Sequence, residues 1–518
     1  MQILDRMQSL QEAQSIDDRA AMGEDIRPLC GLPLAVKDSI DVAGYPSSAG
    51  TPALLGMFPQ TSAPLVDAYR SANGIILGKT RMHELSAGAT SISPTTANFT
   101  AVLNPYNVTH HPGGSSGGSA AGVAARLAPW ALCEDTGGSC RLPASASGVL
   151  GFRPTLGCYN HGDGLVPASF TRDTVGAAAR GMEDLILLDS IVRDSDAMTR
   201  ANGALLPPGV SCQANVDRGL SFAGMRIGLP MGFWASLDPA IIDVLENATD
   251  HMSRAGAEMV PLNLSSVISY GNDHYGGALS GLNYFETPRE LSRYLWRHSY
   301  NISIMQVYKQ INDPIVRSSN LQQLANGVSS PLGSPTDFVD FLTTYRPTLT
   351  QRWADAYQAA NVSALFYPVW TVPPRPINDV DPYSIGPSGD VVGIETTINT
   401  LEDAEATQTS LSVPVGMSTD GLPVGAQFVA PHGQDGLVLS LGLALEKLVG
   451  RLDPPPDPPA CAGCSAFVQN HVVTFDGVGS PDLSSTSSAY NLYFEGPCRD
   501  GGLRTYGQES LWNNLIVG

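Results

Sequence analysis

Hydrophobic and polar positions follow a helical period in several segments, and in two of them a short apolar run comes next. In residues 62–83 an amphipathic stretch stops at Gly74 and is followed by the apolar run 74–78, which predicts a helix and then a buried strand. Residues 239–262 repeat this order and end in the apolar run 258–262. Alternating helices and strands are typical of α/β folds.

Other segments extend the alternation. The pattern predicts a strand at 225–230 and helices at 182–194 and 435–450. We therefore expect an α/β fold with one large domain over residues 1–453, in which helices surround a mixed β-sheet core.

Three further segments have their own composition. Residues 270–347 are rich in Tyr, Asn and Arg and are predicted as broken helices, either a substrate-side helical insertion or a peripheral layer without ligand contact. Residues 454–459 are predicted as a stiff Pro-rich spacer. Residues 460–518 are predicted as a small C-terminal extension of unknown role.

Composition and charge narrow the class of protein. Of 518 residues, 43% are hydrophobic and 15% charged, which indicates a folded, soluble chain. The 29 Lys and Arg against 49 Asp and Glu give a net charge of −20, which argues against nucleic acid or an acidic membrane surface as partner. No apolar run is long enough to span a membrane. The compartment stays open: eight cysteines and six glycosylation sequons fit a secreted protein whose leader is absent from this chain as well as a cytoplasmic one.

Two glycine- and serine-rich loops flank one Ala-rich helical stretch. The first is HPGGSSGGSA at 111–120 and the second is CEDTGGSCRLP at 133–143. Glycines allow backbone N–H groups to turn toward one point, as an oxyanion hole requires. Ser115 and Ser139 are 24 residues apart, about the length needed to leave a loop, form a helix and return, so their hydroxyls can converge.

A lysine follows the apolar run GLPLAVKD at 31–38. In apolar surroundings the pKa of Lys37 would fall, which makes its amine usable as a base near neutral pH. Taken alone, Lys37 is better interpreted as a surface lysine at the end of a strand.

Other catalytic motifs fit poorly. GSSGG at 114–118 matches the nucleophile elbow of α/β-hydrolases, but that elbow needs a preceding strand, which Pro105 and Pro112 disfavour. The loop lacks the G-K-[ST] ending of a phosphate-binding loop.

Cysteines and histidines give no metal motif. Cys461, Cys464 and Cys498 lack a fourth thiolate for zinc, so a disulfide or free thiols is the better interpretation. His110 and His111 are interpreted as loop-packing residues.

These motifs together resemble the amidase signature family, whose members hydrolyse amides through a Ser-cisSer-Lys triad. The resemblance covers about residues 28–455. Within it, 164–176 and 284–291 are similar to the indoleacetamide and mandelamide hydrolase branch. The segments that carry the resemblance are 31–38, 77–84, 104–153, 164–176 and 412–431.

Carried onto this sequence, the resemblance implies a role for each site residue. Ser139 would be the nucleophile, Ser115 the bridging serine on a cis peptide bond, and Lys37 the general base. The implied oxyanion donors are the N–H groups of Thr136, Gly137, Gly138 and Ser139, and the implied supporting residues are Ser116, Asp135 and Arg141.

Two positions depart from the family pattern. Glu134 stands where the family has a small residue, and Cys140 where it has an aliphatic one. A carboxylate near Lys37 would raise the pKa of the lysine and slow the base, unless Glu134 points to solvent.

The resemblance implies an amidohydrolase that cleaves the C–N bond of a small aromatic or apolar amide, without a metal or organic cofactor. The alternatives are a carbamate, ester or peptide-amide hydrolase on the same triad, an amidotransferase A-type subunit, and a catalytically silent relative. The net charge counts against direct tRNA contact, and a homodimer is a modest expectation. Because the base must be neutral lysine, activity should rise with pH.

Overall fold

The computed structural model describes residues 2–456, except for 5, 93–100, 195–210, 269, 271–279, 315, 319, 322–323, 325–334, 378–398 and 401–405. In this part of the chain the strands form one eleven-stranded mixed sheet. The strands are β1 (Ile3–Leu4), β2 (Pro33–Lys37), β3 (Ile75–Thr80), β4 (Trp130–Asp135), β5 (Leu150–Arg153), β6 (Thr174–Ala179), β7 (Arg226–Pro230), β8 (Glu258–Leu262), β9 (Ala364–Pro368), β10 (Thr409–Met417) and β11 (Pro423–Ala430).

The strands are arranged in the order β1-β3-β2-β4-β6-β5-β10-β11-β9-β7-β8. Strand β2 runs parallel to both β3 and β4, and β7 runs parallel to β8 and β9. The strands between these two groups pair antiparallel. The carboxyl ends of β2, β3 and β4 therefore meet at one edge of the sheet, where open α/β sheets commonly place their sites.

The expected α/β fold is confirmed, and the predicted helices and strands lie within a few residues of the observed ones. The helix and strand expected in 62–83 are α2 and β3, and those expected in 239–262 are α6 and β8. The first six helices are α1 (Arg6–Ala21), α2 (Pro64–Ser71), α3 (Gly117–Ala124), α4 (Arg141–Ala146), α5 (Met182–Val192) and α6 (Pro239–Arg254). Further helices are Ser280–Arg297, Ile304–Lys309, Pro335–Asp340, Arg346–Ala360 and Asp435–Val449, with a π-helical turn at Phe341–Tyr345.

The two faces of the sheet bury side chains of different size. Leu34 and Val36 of β2 join the main core with large aliphatic and aromatic residues. Ala35, between them, belongs to a second cluster made largely of alanines on α3, α4 and the neighbouring strands. Because small side chains allow a helix to approach a sheet closely, this Ala-rich face brings the start of α3 against the end of β2.

The predicted helical character of 270–347 is observed where the structure describes that segment, and its proposed position beside substrate stays a prediction. Residues 457–459 of the C-terminal spacer and all of the extension 460–518 lie outside the described residues. None of the described helices has the length and apolar character required to cross a membrane.

Candidate active site

The end of β2 brings a lysine to the first glycine- and serine-rich loop. Lys37 Nζ lies 2.7 Å from Ser115 Oγ, and both side chains are completely buried. The burial contradicts the interpretation of Lys37 as a surface lysine. Burial lowers the pKa of Lys37, against the opposing effects of Glu134, Asp173 and Asp135, so a larger share of the amine is neutral than in water.

Glu134 does not point to solvent. Its side chain is fully buried, and Oε2 lies 3.0 Å from Lys37 Nζ. The same oxygen accepts hydrogen bonds from Ser39 Oγ at 2.7 Å and Ser86 Oγ at 2.9 Å. The residue that departs from the family pattern is thus in direct contact with the buried lysine.

The two glycine- and serine-rich loops meet through Ser116. Its backbone N–H donates to the carbonyl of Ser139 at 3.1 Å, and its hydroxyl donates to the carbonyl of Glu134 at 3.1 Å. These bonds bring the backbone of the second loop to the residue that follows Ser115. Ser139 itself is partly exposed, as a group that reacts with a ligand must be.

The first loop has a compact backbone. The peptide bond between Gly114 and Ser115 is cis, as the resemblance implies. A Cβ on Gly114 would lie 2.7 Å from the backbone nitrogen of Thr90, so only glycine fits there. The Ser115 carbonyl accepts from His83 N–H at 2.9 Å and from Ser91 Oγ at 3.1 Å.

Asp135 organises the second loop. Its carboxylate accepts from Gly138 N–H at 2.8 Å, from Cys140 N–H at 3.2 Å and from the Arg141 guanidinium at 3.0 Å. Arg153 Nη1 lies 3.3 Å from the same carboxylate. Burial alone would raise the pKa of Asp135, but the two guanidinium groups outweigh it and hold that pKa well below its ordinary value, so the carboxylate is charged.

The hydrogen bond to Asp135 changes the expectation for one oxyanion donor. Because Gly138 N–H donates to Asp135, it is committed within the loop, whereas the resemblance gave it to the oxyanion. Gly138 also has a φ of +120°, which favours glycine. The loop is held from outside as well, since Thr136 Oγ1 donates to Asp173 at 2.7 Å and Thr400 Oγ1 donates to the Gly137 carbonyl at 2.7 Å.

A disulfide bond joins the two ends of the second loop. It connects Cys133 on β4 with Cys140, the residue after Ser139. A second disulfide joins Cys158 and Cys212. The sequence left all cysteine pairing open, and Cys461, Cys464 and Cys498 lie outside the described residues.

The interpretations of the loop at 114–118 and of His111 agree with the structure. In the described stretch 101–113 no strand leads into the loop at 114–118, as Pro105 and Pro112 suggested. His111 is buried, accepts from Gly113 N–H at 3.1 Å and packs against Trp370, which fits a loop-packing residue. Within the described ranges, no three His, Cys, Asp or Glu side chains are grouped to hold a metal ion.

Sequence reasoning missed three polar residues around the site. His83 contacts the Ser115 backbone, and burial lowers its pKa to about 4. Asp173 holds Thr136, and burial together with Glu134 raises its pKa to about 7. Lys79 is a second fully buried lysine, whose Nζ lies 3.8 Å from Asp38. The polar stretch TRDT at 171–174 was a signal for Asp173, whereas nothing local singles out His83.

Asp173 also lies on a cleft with about 360 Å³ of empty volume. Its apolar lining includes Leu165, Pro167 and Phe170, and charged side chains at its rim include Glu290 and Arg293. Through Asp173 the cleft is one hydrogen bond from the second loop.

The chain is similar to several known proteins over most of its length. The family model described as Amidase matches residues 3–439. The chain is 33% identical over 440 residues to indoleacetamide hydrolase of Allorhizobium ampelinum, covering 85% of this chain and 88% of that protein. It is 32% identical over 461 residues to mandelamide hydrolase of Pseudomonas putida, covering 86% and 84%. The native peptide amidase of Stenotrophomonas maltophilia superposes with a TM-score of 0.71 at 28% identity, covering 88% of this chain and 90% of that one.

Proposed function

The chain belongs to the amidase family and is an amide-hydrolysing enzyme, and we propose that it cleaves a small aromatic or apolar amide through an acyl-enzyme on Ser139. The observation that carries the proposal is the buried contact of 2.7 Å between Lys37 Nζ and Ser115 Oγ. It supplies a base without histidine, next to a loop that presents a partly exposed serine.

In the proposed reaction, neutral Lys37 accepts the proton of Ser115, and Ser115 accepts that of Ser139. Ser139 Oγ then bonds to the amide carbonyl carbon. Lys37 returns its proton to Ser115, which protonates the leaving nitrogen as the C–N bond breaks. Water attacks the resulting ester by the same relay in reverse, which releases a carboxylic acid and regenerates the Ser139 hydroxyl.

We assign the developing oxyanion to the N–H groups of Thr136, Gly137 and Ser139, since Gly138 N–H donates to Asp135. Loss of one such donor typically lowers the rate by about 10²–10³. Asp135, Arg141 and Ser116 act on the reaction only by fixing the loop.

The substrate class is supported by the names of the relatives, because indoleacetamide and mandelamide are small aromatic amides. A peptide amide is the second candidate, favoured by the structural similarity to a peptide amidase. A panel of aryl amides, peptide amides, esters and carbamates separates these classes by kcat/KM.

A serine-reactive fluorophosphonate tests the mechanism. We expect an adduct on Ser139, located by mass spectrometry, that is absent in Ser139→Ala and strongly reduced in Lys37→Ala. Ser119→Ala is a control for the loss of a serine hydroxyl outside the proposed relay, because Ser119 lies on α3 and donates to the Leu132 carbonyl. An adduct that persists in Ser139→Ala would refute the assignment of the nucleophile.

A further inference from the structure

Glu134 and Lys37 lie on adjacent parallel strands and form a fully buried ion pair at the sheet edge. The two side chains have no exposed area, and Lys37 Nζ lies between Glu134 Oε2 at 3.0 Å and Ser115 Oγ at 2.7 Å. Neither side chain contacts water, so a charge on one member of the pair is stabilised mainly by the other member.

The carboxylate is itself held in place. Oε2 accepts from two hydroxyls, Ser39 and Ser86, in addition to Lys37. Oε1 is buried and accepts no hydrogen bond from the described residues. The carboxylate therefore presents one fixed oxygen, Oε2, to the lysine. This oxygen holds Nζ close to Ser115 Oγ.

The reaction proposed above creates a charge at this point. When Ser115 gives its proton to Lys37, a buried amine becomes a buried ammonium, which low-dielectric surroundings disfavour. A carboxylate at 3.0 Å stabilises that ammonium, in the manner of a buried aspartate that orients a catalytic histidine and stabilises its protonated form.

We propose that Glu134 is a positioning residue for the amide-hydrolysing reaction, which holds Lys37 Nζ on Ser115 and stabilises its protonated form during the relay. This inference rests on the proposed function. Glu134 then has one favourable and one unfavourable effect on activity. It raises the rate reached at high pH, and it also raises the pH at which half of that rate is reached.

Other charged groups face the pair and set the background of the pH profile. Asp135 on β4 is paired with Arg141 and Arg153 and stays ionised. His83 has a pKa of about 4 and is neutral across the range in which Lys37 works, and burial likewise lowers the pKa of His161.

Asp173, whose pKa is raised to about 7, titrates near neutral pH. Asp173→Asn is therefore measured beside the Glu134 variants, so that its contribution to the profile is separated from that of the ion pair.

The test is the pH dependence of kcat/KM and of the rate of fluorophosphonate labelling at Ser139. In Glu134→Gln, we expect the midpoint of the rising limb to move to lower pH by about 1–3 units, since an adjacent opposite charge changes a pKa by that amount. The plateau should fall about 10-fold to 100-fold because Nζ is less well placed. Glu134→Asp keeps the charge on a side chain that is one methylene shorter. It should lower the plateau of the pH profile and leave its midpoint near that of the wild type.

Glu84→Gln is a matched control. Glu84 is also a buried carboxylate, but it accepts from the backbone N–H groups of Asn312 and Asp313. We expect Glu84→Gln to lose stability without moving the midpoint.

An unmoved midpoint in folded Glu134→Gln overturns the inference, and so does an equal shift in Glu84→Gln. If Glu134→Gln does not fold, the pH midpoint of Ser86→Ala tests the inference instead. Removal of this donor leaves more charge on the carboxylate, so the midpoint should rise, and an unchanged or lower midpoint overturns the inference. Failure of the proposed function is a separate result, since wild-type protein would then show no labelling at Ser139.

Discussion

Replacing Asp135 by Asn tests how the second loop is held. Asn has nearly the same shape but one acceptor oxygen where Asp has two. Oδ2 of Asp135 accepts from Cys140 N–H at 3.2 Å and from Arg141 Nε at 3.0 Å, while Oδ1 accepts from Gly138 N–H at 2.8 Å. In Asp135→Asn an NH₂ group faces at least one of these sets of donors.

The magnitude follows from burial. Asp135, Arg141 and Arg153 have no more than traces of exposed area, so the substitution leaves two guanidinium groups without their carboxylate. Removing one partner of a buried ion pair costs about 3–5 kcal/mol. We expect the free energy of unfolding to fall by that amount at pH 7.

The loss of unfolding free energy in Asp135→Asn should depend on pH. The pKa of Asp135 in the folded chain is below its ordinary value, so its stabilising effect is fully present above the unfolded pKa of about 3.9 and is lost as pH falls through the folded pKa. The difference in stability between wild type and Asp135→Asn should therefore narrow below about pH 4.

Urea denaturation at pH 7 and pH 3.5 measures both effects, with the labelling rate of Ser139 as a readout of the loop. Asp189→Asn is a matched control, because Asp189 forms a buried pair with Arg193 away from the loop. Both variants should lose stability, but only Asp135→Asn should slow labelling of the folded protein. A loss below about 1 kcal/mol in Asp135→Asn, or equal labelling in both variants, would refute the reasoning.

Two further predictions concern the same loop. The double variant Cys133→Ser/Cys140→Ser should lower the free energy of unfolding by about 2.5 kcal/mol, the chain-entropy value for the short loop that this disulfide closes, and urea denaturation should show no such loss if the thiols are unpaired. Gly138→Ala should slow labelling of Ser139 by about 100-fold, because a Cβ at a φ of +120° would clash with Thr400 and displace the loop that carries Ser139. Gly122→Ala on α3, where a Cβ meets no atom closer than 3.9 Å, should label at the wild-type rate, and equal rates in both variants would contradict the expected strain.

Local periodicity was enough to predict several elements of the sheet and the helices beside them. The helix expected at 435–450 is observed at Asp435–Val449, and the strand expected at 225–230 is observed at Arg226–Pro230. Both segments have strong apolar patterns bounded by turn residues, and such signals lie within the segment itself. The order of strands in the sheet has no local signal, because it depends on contacts between residues far apart in the chain.

The same difference between local signals and long-range contacts explains why a strand that could bury Lys37 was predictable and the position of Glu134 was not. The apolar run before Lys37 predicted a strand that could bury it, and the glycine-rich loop predicted a backbone that could turn toward it. That Glu134 would meet Lys37 depends on β2 pairing with β4 in parallel register, where Leu34 lies opposite Trp130, 96 residues further along the chain.

From sequence alone Glu134 was therefore an anomaly that could have faced solvent. In the folded chain its environment is specific, since its one bonded oxygen contacts Lys37, Ser39 and Ser86. A carboxylate in the position of a small residue would normally leave an uncompensated charge in the core. Here Lys37, the proposed base, lies at 3.0 Å and compensates that charge, so a change in either residue alters the environment of the other.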